Sequence, residues 1–131
     1  MPRDPLATLA RLRKLDTDLA RQRLAEGMAR AATAESRARE AAGALLVEQG
    51  AGSPAEYAAW VARGLAERDR AVRSLALTET RAAEARSGLV SARTAERALE
   101  ILRAQQAEAA AARAERRIGV LLDDLAARRC R

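Results

Sequence analysis

The apolar half of this chain is mostly alanine, and that fact limits what the chain can fold into. Hydrophobic residues make up 49% of its 131 positions, yet aromatic residues account for only 2%, with one tryptophan, one tyrosine and no phenylalanine. A buried alanine contributes about 0.8 kcal/mol for its methyl group, against roughly 1 to 2 kcal/mol of backbone entropy for each ordered residue. A compact fold of several layers needs larger side chains. Alanine, leucine, arginine, glutamate and glutamine are instead the strongest helix formers, and 32% of the residues are charged. The composition therefore points to long helices that pack in a pair.

Prolines and glycines place those helices. Prolines occur only at positions 2, 5 and 54. Asp4 followed by Pro5 reads as an N-cap with proline at the first helical position, and nothing breaks the pattern before Gly50, so a first helix is expected over 5–49. Residues 50–53 read as a corner. Ser53, Pro54 and Glu56 restart the chain with a capping box, and a second helix is expected over 54–128. Gly64 marks a candidate break, and Gly64, Gly88 and Gly119 each cost about 1 kcal/mol relative to alanine in a helix interior. A corner this short makes the two helices antiparallel neighbours. The expected fold is all-α: one domain, a two-helix antiparallel coiled-coil hairpin with a longer C-terminal helix.

Apolar spacing suggests the seam between them. In the first helix it begins with Leu6, Leu9, Leu12, Leu15 and Leu19 and continues through Leu24, Met28, Ala31, Ala42 and Leu45, with a slip near Leu19 to Leu24. In the second, Val61, Leu65, Arg68, Val72, Leu75, Glu79, Ala82, Arg86 and Leu89 alternate in spacings of four and three, as a heptad seam does, and Leu99 and Leu102 follow after another slip. A first helix of about 45 residues can pair with roughly 54–98, which leaves about 30 C-terminal residues unpaired. That segment carries Ile118, Leu121, Leu122 and Leu125, a stripe that needs a protein partner or an identical tail from a second copy.

The residues that carry chemistry are scarce. With no histidine, the commonest general base and neutral metal ligand is missing. No glycine-rich loop joins a strand to a helix to hold phosphates. Asp123 and Asp124 are adjacent on a helix, point about 100° apart and form no acid/base dyad. Cys130, the one cysteine, can make no internal disulfide. The protein is accordingly expected not to be an enzyme and to need no cofactor or metal.

Charge and targeting signals narrow the partners. The net charge is +6, but residues 1–49 carry nine basic and seven acidic groups, 50–96 seven and six, and 97–131 eight and five. Interspersed signs suit solvated helix faces better than a nucleic-acid groove, and the aromatic rings lie at the corner rather than along a basic face. No run of 18 apolar residues or signal-peptide core occurs, which leads us to expect a cytoplasmic protein. Tyr57 and Trp60, three residues apart, share one helix face near the corner. Either they pack over Leu45, Leu46 or Val47 and close the hairpin tip, or they face a partner.

The N-terminal PLATLARLRKLDTDLARQRLAE, the central hairpin and the C-terminal AERALEILRAQQAEAAAARAERR leading to LLDDLAARR together resemble the FliJ family of flagellar export proteins and its type III secretion relatives. The resemblance spans essentially the whole chain. It implies a coiled-coil hairpin similar to the central stalk of rotary ATPases, acting at the cytoplasmic face of the inner membrane at the flagellar base. Such a protein inserts its terminal region into the export ATPase hexamer, promotes ring assembly and activity, contacts the cytoplasmic domain of the export gate, and serves as a general export chaperone that recycles substrate chaperones. On this resemblance the ATPase contact falls to Leu9, Leu12, Arg13 and Leu15 from the start and Leu122, Asp123, Leu125 and Arg128 from the end. Tyr57 and Trp60 are then the candidates for the gate contact. The chain departs from the family pattern at ERRIGVLLDDLA, where Ile118, Gly119 and Val120 replace a polar run. A structural coiled-coil homodimer and an injectisome stalk protein are the alternative readings.

Overall fold

The computed structural model describes residues 4–47 and 52–130. Two long helices account for nearly all of them, α1 over Pro5–Ala44 and α2 over Pro54–Arg129, and no strand occurs among the described residues. The fold is all-α, two helices packed against each other as a hairpin requires.

Both helix starts are capped as their residue types dictate. The Leu6 amide donates to Asp4 Oδ1 at 2.9 Å, ahead of a Pro5 that has no amide to satisfy. At α2 the Glu56 amide donates to Ser53 Oγ at 3.3 Å, while the Ser53 amide donates to Glu56 Oε2 at 2.8 Å. This reciprocal pair is a capping box, and it fixes where the chain re-enters a helix.

The end of α1 differs from the expected position at 49. Its helical residues stop at Ala44, and Leu45 and Leu46 form a turn in which the Leu46 amide donates to the Gly43 carbonyl at 3.0 Å. A bond of three-residue reach tightens the last turn, at a point where Gly43 offers the weakest helix propensity short of proline. Residues 48–51, which include half of the expected corner at 50–53, lie outside the described residues. Gly64, by contrast, does not break α2, which runs unbroken to Arg129.

The chain divides into two packed units, one of residues 16–92 and one of residues 1–15 with 93–131. In the first, α1 and α2 are antiparallel in a register fixed by two close approaches. A Cβ added at Gly27 would lie 3.5 Å from Ala82 Cα, and one added at Gly64 would lie 3.3 Å from Leu45 Cγ. The two residue numbers in each facing pair have the same sum, as an antiparallel ladder demands. Along the seam the less exposed positions of α1 and the turn after it are Thr17, Ala20, Leu24, Gly27, Ala31, Ala34, Ala38, Ala41 and Leu45, and those of α2 are Val61, Gly64, Arg68, Ala71, Leu75, Thr78, Ala82, Ala85, Leu89 and Ala92; Gly43 and Trp60, also half-buried, lie beside it. Both series alternate strictly in steps of three and four, the spacing of a coiled-coil seam.

That register sets Ala20 opposite Leu89, Leu24 opposite Ala85 and Ala34 opposite Leu75, so the large residue of a layer meets a small one. The seam corrects the expected one in both helices. In α2 the positions Val61, Arg68, Leu75, Ala82 and Leu89 belong to it, but Gly64, Ala71, Thr78 and Ala85 replace Leu65, Val72, Glu79 and Arg86 as the alternating members. The reason is volume: α1 already supplies leucine at 24 and 45, and a second leucine in the same layer would force the axes apart. The expected slip before Leu99 is likewise absent, since Leu99 is buried three residues beyond Glu96 in the same frame.

Part of the expected leucine stripe leaves the seam, which keeps Leu24, Ala31 and Leu45. Leu9, Leu12, Leu15, Leu19 and Met28 are exposed, Leu15 at 62% of its surface, and no slip occurs at 19–24. A spacing of three turns about 300°, so from Leu6 to Leu15 the stripe rotates about 180° and reaches the opposite face. The buried Thr17, 1% exposed, lies in the seam instead, and no buried side-chain nitrogen or oxygen among the described residues lacks a hydrogen-bond partner.

Charged side chains decorate the outer faces in short-range pairs such as Asp18–Arg21, Glu35–Arg39, Glu67–Arg70 and Arg97–Glu100. Each is solvent-exposed and at three- or four-residue spacing, the arrangement worth about 0.3–0.5 kcal/mol. They support helix continuity more than packing.

Two substitutions test the seam. Gly27→Ala places its methyl at ordinary contact distance from Ala82 and removes glycine's helix penalty, so it raises stability by about 0.5–1 kcal/mol in urea or thermal unfolding. Ala82→Leu, which adds volume against Gly27, lowers it by about 1–3 kcal/mol. Independently, Ser53→Ala removes half of the capping box and costs about 1 kcal/mol, read in the same unfolding experiment.

Candidate interaction surfaces

A narrow seam filled with small residues leaves most large apolar side chains outside it. Three groups of them stand out, and each includes residues that the sequence singles out. The first lies on α1, where Leu12, Leu15 and Leu19 are spaced three and four apart on one exposed face. Leu9 flanks it, at the edge of the seam. Arg13 occupies a seam position but keeps most of its surface in solvent.

The second group is on the far part of α2. In the unit of residues 1–15 and 93–131, Asp4 and Leu6 border one shallow recess with Arg103, Ala104, Gln106 and Ala107. The start of α1 is therefore level with about residue 104, and α2 continues past it to Arg129. From Glu100 onward every described residue is exposed except Gly119, which is half-buried. Ile118, Val120, Leu121, Leu122 and Leu125 are all exposed, Leu121 at 62%, and Arg116, Arg117, Val120 and Leu121 line an open apolar depression. Asp123, Asp124 and Arg128 lie among them and are exposed too.

The eight residues assigned to an ATPase contact do not form one patch. By register Leu9 is level with Glu100, and Leu122 lies roughly 33 Å farther along α2 at 1.5 Å per residue. The N-terminal set and the C-terminal set are both accessible, but they are two surfaces at different heights on this unit. Spacing along the sequence says nothing of this separation, because it arises from the antiparallel register.

The third group sits beside the corner. Tyr57 and Trp60 pack on each other, ring centroids 5.8 Å apart and planes tilted by 33°. This is an offset aromatic pair of the favourable kind. Trp60 is half-buried, but Tyr57 is exposed, Val47 is exposed, and Leu46 keeps 86% of its surface in solvent. The rings thus leave Leu46 and Val47 uncovered. Leu45 turns its side chain toward Gly64 instead.

Among the described residues no group of three His, Cys, Asp or Glu side chains converges as a metal site would, and no helix is long and apolar enough to cross a membrane. The free Cys130 is exposed. The depressions along the hairpin, such as that between Met28, Ala31, Leu75 and Ala82, are open grooves beside the seam and not enclosed cavities.

Comparison with protein-family models, with curated proteins and with solved structures finds no match to this chain.

Trp60 is half-buried and its ring packs on the exposed Tyr57, so Trp60→Ala leaves helix content nearly unchanged and costs about 1 kcal/mol of stability. Circular dichroism with thermal unfolding checks this; a collapse of helicity would place Trp60 in the fold's core.

Proposed function

We propose that the protein is a non-enzymatic coiled-coil component of a type III export apparatus, most simply the flagellar one, that links the export ATPase to the export gate. The observation that carries the reading is the unpaired end of α2. A hairpin sealed by alanine and glycine is narrow enough to enter the channel of a ring, and beyond its start α2 exposes Ile118, Leu121, Leu122 and Leu125 with Asp123, Asp124 and Arg128 among them. An apolar stripe edged by charges of both signs is a surface for a protein partner.

Within this reading the C-terminal set, Leu122, Asp123, Leu125 and Arg128, makes the contact with the ATPase hexamer. Leu9, Leu12, Arg13 and Leu15 form a second contact lower on the same unit, since they are too far away to share one subsite. The exposed face of Tyr57 and Trp60 suits the cytoplasmic domain of the gate, because aromatic residues supply large contact area at small entropic cost. Association with the cytoplasmic face of the inner membrane then comes from partners, as does much of the protein's order: ligation of a marginally stable hairpin stabilises it by mass action. A chaperone role toward export substrates or their chaperones uses the same exposed helix faces.

Titration of the protein into the purified export ATPase of its own organism tests this reading, with ATP hydrolysis and hexamer formation followed together. Stimulation of both is expected, and removal of residues 118–131 abolishes it. No stimulation at concentrations well above that of the ATPase overturns the assignment.

A further inference from the structure

The overhang of α2 carries a second heptad seam, distinct from the one that holds α1. Ala104, Ala107, Ala111, Ala114, Ile118, Leu121 and Leu125 follow one another in alternating steps of three and four. The hairpin seam, extended in its own frame past Glu96 and Leu99, instead reaches Arg103, Gln106, Ala110, Arg113 and Arg117, mostly polar residues. The overhang's seam is therefore offset by one residue, a rotation of about 100° around the helix. Past Ala107, which with Ala104 borders the recess at Asp4 and Leu6, it departs from the face that α1 occupies. All seven of its residues are exposed.

We propose that this seam pairs antiparallel with the same seam of a second copy of the chain. Two properties of the residues select that occupant. The first is volume: the hairpin sets leucine against alanine or glycine across its layers, as at Leu45 and Gly64. In an antiparallel pair centred between Ile118 and Leu121, Ala114 of each copy meets Leu125 of the other, and Ile118 meets Leu121. A parallel pair would set alanine against alanine over half of the overlap and large against large over the rest, a taper that two straight helices cannot fill evenly.

The second property is charge. In this hairpin the residues that flank the seam face each other across it, as Arg37 and Ser74 do where they border one groove. The same geometry in the antiparallel pair sets Arg117 against Asp124 of the second copy and Glu108 against Arg129, each twice by symmetry. Glu108, Arg117, Asp124 and Arg129 have no ion-pair partner within the chain among the described residues. A shift of the register by one heptad toward the N-terminus replaces these contacts with Arg117 against Arg117 and Glu115 against Glu115, which repel. The flanking charges thus specify one register as well as a self-complementary partner. This pairing does not rest on the export reading, but it takes up Leu125 and the stripe from Ile118 that the export reading gives to the ATPase, so the two contacts exclude each other; sedimentation of the chain alone reads the pairing without the ATPase.

Sedimentation equilibrium on the full chain, from micromolar to near-millimolar concentration, tests the proposal, with circular dichroism to verify that each variant keeps its helix content. A reversible monomer–dimer equilibrium is expected. Leu121→Glu removes the dimer without loss of helicity, because Leu121 is exposed within the chain. Asp124→Arg sets arginine against Arg117 and weakens the dimer about tenfold, and the double variant R117D/D124R restores it by exchanging the charges. A monomer throughout, a dimer indifferent to Leu121→Glu, or a charge exchange that fails to restore association would each overturn the pairing.

Discussion

The close approach of α1 and α2 through small side chains is the constraint on which the rest of the molecule depends. Where Gly27 faces Ala82 there is room for one methyl group and little more. Such a seam gains little from hydrophobic area, since alanine and glycine have little to bury, and it relies on backbone proximity and on leucines placed no more than one to a layer. Each leucine that enters requires a small residue opposite. That requirement, more than hydrophobicity, determines which apolar residues are inside.

The surplus apolar residues follow from it. Leu12, Leu15 and Leu19 on α1, Leu65, Val72 and Leu77 on α2, and the group from Ile118 to Leu125 are displaced to the surface because the seam has no volume for them. In a globular domain a third layer would cover such residues. Here two helices offer no third layer, so these side chains stay on the surface. The two expected contact sets, near Leu12 and near Leu125, are separated along the helix by the register, so a partner that engages both must be extended or must be two partners.

Glycine contributes differently according to position. Gly64 lies where Leu45 folds back over α2, so an added side chain would displace that leucine, whereas a Cβ at Gly88 or Gly119 meets nothing within 4 Å. The first serves packing next to the corner. The other two lower helix propensity without any packing return in the chain itself, and Gly119 lies within the exposed stripe from Ile118 to Leu125.

The helical class, the two starts at Asp4-Pro5 and Ser53-Pro54, and the unequal lengths that leave the end of α2 unpaired were fixed by the residues alone, although the expected limit of pairing near 98 lies nearer 104 in the structure. These are local matters: propensity, proline and a capping serine act within one turn, and the structure repeats them. Half of the α2 seam was legible too, because Val61, Leu75 and Leu89 are large at a seven-residue repeat. Only the tertiary structure decided the other half. Large apolar residues at 65 and 72, and the leucines from 9 to 19, looked like seam members, but whether a position is inside depends on the volume across the layer, and that belongs to the opposite helix. The usable signal was the small residue one place before each of Leu65, Val72, Glu79 and Arg86, namely Gly64, Ala71, Thr78 and Ala85, which is meaningful only once the antiparallel register supplies Leu45, Ala38, Ala31 and Leu24 as their neighbours.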